Sequence, residues 1–241
     1  MYPHADVAAS LRLRRARIAL CCALFSVLIG SAAVAQPAAK GVGQQIAMEG
    51  LSGKVAACSG CHGLKGEGSA AFPYLRGTGQ DYLMAQLDAF ANGTRKNSLM
   101  QPIAQGLTKA QRSAVASYYS RLAPPARMVV APAADPARPG EWLARRGRWT
   151  EDLPGCAQCH GADGGGVGSH VPPLAGLPQA YIAEQLQAWK SGSRPAGPLA
   201  LMAGVATKLS EADILAASTY YAHMGTDPAL APPTIEGRAG K

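Results

Sequence analysis

The chain has 241 residues and carries 23 Lys/Arg against 15 Asp/Glu, a formal charge of +8. That length accommodates two domains, and the basic residues are dispersed rather than massed into a dense run, which excludes a nucleic-acid footprint. With three Phe in all, two domains of ordinary size would have thin cores unless something large and apolar fills them.

In chain order, Arg12, Arg14, Arg15 and Arg17 precede the apolar run "IALCCALFSVLIG" (18–30) and the small-residue stretch "SAAVAQ". This order predicts a secretory signal over 1–35, cleaved after Ala35; the apolar run is shorter than the roughly 20 residues of a spanning helix. The remaining chain has 19 Lys/Arg against 14 Asp/Glu, a charge of +5.

The rest of the sequence is an internal repeat. "CSGCH" (58–62) returns as "CAQCH" (156–160), "FPYLRG" (72–77) as "VPPLAG" (171–176) and "LDAFANGTR" (87–95) as "LQAWKSGSR" (186–194). "LTKAQRSAVASYY" (107–119) returns as "LSEADILAASTYY" (209–221), and the offset drifts from 98 to 102, as a duplicated domain with short insertions gives. Each copy predicts a helix before the motif (42–50 and 140–147), then a Gly-rich loop, then a helix with apolar spacing at Tyr82, Leu83, Leu87, Phe90 and at Tyr181, Ile182, Leu186, Trp189. After a loop containing Met100 or Met202, a last helix starts at Thr108 or Ser210, with Gln111 or Asp213 completing a capping-box pattern. No segment alternates with period two. The reading is all-α, as two tandem helical domains at 36–122 and 140–230, with a Pro/Ala-rich linker (123–139) and a tail (231–241).

Two thiols and an imidazole at this spacing could hold zinc, form a redox dithiol or attach a haem. A structural zinc site wants four N/S ligands, and each repeat offers three; a thioredoxin-like dithiol wants a βαβ pattern, which is absent. The histidine directly after the second cysteine is the haem c signature: Cys58 and Cys61, like Cys156 and Cys159, bond the porphyrin edge, and His62 or His160 ligates iron. Each domain then wraps a covalently attached haem, which supplies the missing core.

For the other axial face, Met100 and Met202 correspond in the repeat, both seven residues before the Leu that opens the last helix, whereas Met48, Met84, Met128 and Met224 have no methionine counterpart. The pair is the candidate set of second axial ligands, and packing is the competing use. His170 and His223 have no counterparts and read as surface histidines. Arg95 and Arg194 do correspond, with two readings: partners of haem propionates, or helix-end arginines in water.

These motifs together, with "YLMAQLDAFANGTR" and "YIAEQLQAWKSGSR", resemble the dihaem cytochromes of the c4 type over nearly all of 42–223. The resemblance implies two cytochrome c domains related by a pseudo-twofold axis, a periplasmic location, and His–Met ligation at both irons. It implies that the carbonyls of Pro73 and Pro172 accept a hydrogen bond from the proximal imidazole. It also implies an electron carrier rather than an enzyme, with a quinol-oxidising complex as donor and a terminal oxidase as acceptor, and membrane association only through such partners. A cytochrome subunit of a periplasmic dehydrogenase is the second reading, and a haem enzyme with one open iron the third.

Overall fold

The computed structural model describes residues 41–125, 134–197 and 199–224. The expected signal segment, the centre of the linker with Met128, and the C-terminal tail lie outside the described residues.

Each half is built from the same helices. In the first, α1 (Val42–Glu49) precedes the one-turn α2 (Ser59–His62), followed by α3 (Gln80–Ala91), α4 (Met100–Gln105) and α5 (Lys109–Ser120). In the second, α6 (Pro139–Arg146), α7 (Ala157–His160), α8 (Gln179–Lys190), α9 (Leu201–Thr207) and α10 (Glu211–His223) repeat the order. The capping boxes form as the pattern predicts. Thr108 Oγ1 accepts from the Gln111 amide while Gln111 Oε1 accepts from the Thr108 amide, and Ser210 and Asp213 reciprocate in the same way. Each cap contributes about 1 kcal/mol and fixes where the last helix starts.

The first and last helices of each half cross in direct backbone contact. A Cβ on Gly43 would lie 2.0 Å from the Ala114 carbonyl oxygen, and one on Gly140 would lie 2.3 Å from that of Ala216. Only glycine permits this approach, and the repeat places it at the same point twice. The resulting cores are small: Ile46, Leu83, Leu107, Val115 and Tyr119 centre the first, and Leu143, Leu186, Ile214 and Tyr221 the second.

Two features depart from the expected plan. Gly147–Arg148 pairs antiparallel with Leu153–Pro154 around a 3₁₀ turn at Trp149–Glu151, although no strand was expected; two-residue strands are too short to show a period. The methionine segments, expected as loops, are the first turns of helices. At α4 the Asn97 Oδ1 accepts from the amides of Leu99 and Met100 at 3.1 and 2.9 Å and turns the chain into the helix. Among the described residues no helix is long and apolar enough to cross a membrane.

Candidate functional site

The site in each half starts from the one-turn motif helix. The His62 amide bonds the Cys58 carbonyl at 2.9 Å and the His160 amide bonds that of Cys156 at 2.9 Å. This helical turn puts the first cysteine, the second cysteine and the histidine at positions i, i+3 and i+4, on one face. Both imidazoles are nearly enclosed, at 8 % and 6 % exposure. His62 Nδ1 lies 2.7 Å from the Pro73 carbonyl oxygen, and His160 Nδ1 lies 2.8 Å from that of Pro172. A carbonyl can only accept, so each Nδ1 carries the proton and each Nε2 keeps a lone pair. Burial lowers the basicity of both rings and the carbonyls only partly oppose it, so both are neutral at pH 7.

The second cysteines, Cys61 and Cys159, are exposed, whereas Cys58 and Cys156 are half-buried. Burial raises the Cys58 thiol above its usual range and pushes Cys156 up to about 11. The sequence alone does not single out Tyr119 and Tyr221, whose buried hydroxyls face those thiols and have no other polar partner among the described residues. Their only signal was the repeated "YY" ending each last helix.

Met100 and Met202 are both half-buried. Met202 packs on the second core, whereas Met100 is not among the residues packed on the first core. Met84 fills the first core and Met224 the second, as unpaired methionines should. His170 and His223 are exposed.

Arg95 and Arg194 are not helix-end arginines in water; they are 7 % and 5 % exposed and lie where the halves meet. Arg95 donates to Gln86 of its own half at 2.8 Å and to Gln185 and Tyr181 of the other at 2.6 and 3.3 Å. Arg194 mirrors this with Gln185 at 2.9 Å, Gln86 at 2.9 Å and Tyr82 at 3.1 Å. Arg95 stacks on Phe90 and Arg194 on Trp189. Burial lowers the Arg194 pKa, and Arg95 adds to the effect. Among the described residues neither guanidinium has a carboxylate partner. A third link is asymmetric: Tyr74 of the first half donates to the Ala175 carbonyl at 3.0 Å and joins the second core.

The residues fit a haem c in each half. A thiol pair shares a face with an imidazole whose Nε2 is free, a buried tyrosine hydroxyl faces the first thiol, and two buried cations lack a carboxylate among the described residues.

The pattern of the family described as "Cytochrome c" matches residues 43–122 and 151–224. The chain is 41 % identical over 177 residues to "Thiosulfate dehydrogenase electron acceptor" of Thiomonas intermedia, covering 73 % of this chain and 82 % of that one. Among solved structures, reduced cytochrome c4 from Pseudomonas stutzeri superposes with a TM-score of 0.63 at 34 % identity, over 76 % of this chain and 96 % of that one. Thiosulfate dehydrogenase (TsdBA) from Marichromatium purpuratum gives a TM-score of 0.68 at 39 % identity over 75 % of this chain, which spans only 39 % of the length of that protein. The chain belongs to the cytochrome c family and, within it, to the dihaem c4 type. It is an electron-carrying cytochrome with two covalently bound haems c, one per half.

Proposed function

We propose that this chain works in the periplasm as the electron acceptor of a thiosulfate-oxidising dehydrogenase and passes single electrons onward to a terminal oxidase. The observation that carries the donor is the relative of Thiomonas intermedia, 41 % identical and matched over 82 % of its length, whose name states that role. This favours the dehydrogenase-linked reading over a quinol-oxidising donor.

The haem supplies one-electron iron chemistry when bound. The chain's own residues do the rest. Cys58, Cys61, Cys156 and Cys159 would hold it covalently, and the free Nε2 atoms of His62 and His160 would ligate its iron. Pro73 and Pro172 keep each ring in the tautomer that ligation needs and raise its donor strength. Met100 and Met202 would supply the other ligands to each iron, a donor set that would raise the potential above that of a bis-histidine site. Arg95 and Arg194 would receive the haem propionates, anions that would balance two buried guanidiniums. The helices enclose each imidazole, so little water reorganises when charge changes.

Stopped-flow mixing of the oxidised holoprotein with a thiosulfate dehydrogenase and thiosulfate tests this reading. Both haems reduce if it holds. If dithionite reduces the protein fully while the dehydrogenase leaves it oxidised, the donor is wrong.

A further inference from the structure

Each last helix carries a tyrosine pair, and its second member, Tyr119 in α5 and Tyr221 in α10, is only 2 % exposed. Among the described residues its hydroxyl has one polar neighbour, the sulfur of the first motif cysteine, Cys58 or Cys156. A buried hydroxyl left without a hydrogen bond destabilises a fold, and here the same arrangement recurs in both halves. The second cysteines, Cys61 and Cys159, are exposed, so the two sulfurs of each motif stand in different surroundings.

The tyrosine rings are locked where they are. Tyr119 meets Tyr118 edge to face at 5.1 Å, and a Cβ on Gly66 would lie 2.7 Å from its ring. Its carbonyl accepts from the Gly77 amide at 2.9 Å. Tyr221 repeats all three contacts: Tyr220 at 5.1 Å, a Cβ on Gly164 at 3.0 Å, and the Gly176 amide at 2.8 Å. Gly66 and Gly164 have φ of 67° and 64°, where a side chain is strained whatever the space. The loop that follows each motif histidine therefore clamps the ring, and the hydroxyl cannot swing out to water.

Covalent attachment decides the direction of this contact. The thiol adds across a vinyl group of the porphyrin: sulfur bonds one carbon, and the thiol hydrogen goes to the other. The resulting thioether has lone pairs and no proton, so it can only accept, and the tyrosine can only donate. We infer that the Tyr119 and Tyr221 hydroxyls donate to the thioether sulfurs of Cys58 and Cys156, and that each raises the potential of the haem in its own half. A reduced macrocycle pushes more electron density onto its substituents, so its sulfur accepts more strongly. A hydrogen bond that is stronger in the reduced state favours that state. The inference rests on covalent haem attachment and is independent of which proteins give or take the electrons.

Tyr119→Phe and Tyr221→Phe keep the ring and delete only the hydroxyl. Each holoprotein is titrated spectroelectrochemically, its haems are counted by intact mass, and its carbon–sulfur stretch is followed by resonance Raman. Both variants should keep two haems. In each, one midpoint should fall by about threefold in the reduction equilibrium, about 30 mV for one electron, and the two variants should move different midpoints. The parent's carbon–sulfur stretch should shift on exchange from H2O into D2O, and each variant should lose that response at one haem. The inference is overturned if both midpoints stay at the parent's values, the result expected of a hydroxyl that only fills space. It is equally overturned if a variant loses a haem, which would make the tyrosine a residue of haem retention and not of tuning.

Discussion

Arg95 of the first half donates to Gln185 of the second at 2.6 Å, and Arg194 of the second donates to Gln86 of the first at 2.9 Å. Each arginine also bonds its own half's glutamine, so two guanidiniums and two amides close a ring across the repeat. A buried cation destabilises the more positive, oxidised form of a nearby redox centre. Arg194→Met should therefore lower the midpoint potential of the adjacent haem by about 60 mV, the one-electron equivalent of a tenfold shift. Spectroelectrochemical titration reads it. If the arginines merely prop the interface, thermal stability falls and both potentials stay in place.

The backbone contacts at Gly43 and Gly140 admit no side chain. Gly43→Ala must push α1 off α5 and should cost about 3 kcal/mol, the range of overpacked core sites. Denaturant unfolding of the holoprotein gives the value. A loss near the propensity change alone, in the stabilising direction for Ala in a helix, would mean that the crossing is loose.

Acid stability should depend on Asp213. Its carboxylate takes two bonds from Arg148, at 2.7 and 3.0 Å, and one from the Ser210 amide. Burial works against the charge, but these bonds outweigh it and hold the pKa at about 2. A depressed carboxylate stabilises the fold fully above its unfolded value near 4 and loses that contribution as pH falls towards 2. Asp213→Asn removes the ion pair and, in this solvent-screened position, should cost up to about 1 kcal/mol at neutral pH, with a shallower fall in melting temperature between pH 4 and 2. Parallel melting curves for the two proteins over that window would contradict the assignment.

The cores are too small to hold the fold without the cofactor. The protein with all four motif cysteines changed to serine should lack a sharp cooperative thermal transition, since cofactor binding supplies folding free energy. Calorimetry of that variant decides it, and a cooperative peak would show that the helices suffice.

Most of the architecture was legible because the chain states it twice. The Thr108 and Ser210 caps, the α3 and α8 faces and the motif histidines each had a counterpart that separated signal from coincidence. Where the outcome hung on distant partners, local pattern failed. Arg95 and Arg194 looked equally suited to water, because the glutamines and tyrosines that bury them come from the other half. The hairpin at Gly147–Pro154 is two residues per strand, too little to alternate. Met100 read as loop because the helix start is set by a side chain, Asn97, bonding two amides rather than by any periodicity. That the hydroxyls of Tyr119 and Tyr221 face the first thiols was not legible, since it is a property of the packed interior.

Intact mass spectrometry of the denatured holoprotein tests the central claim most directly. The account predicts a mature chain carrying two covalent haems, with Cys156→Ser/Cys159→Ser losing one of them and Cys58 and Cys61 resisting alkylation. A mass with fewer than two haems, or four thiols open to alkylation, would contradict it.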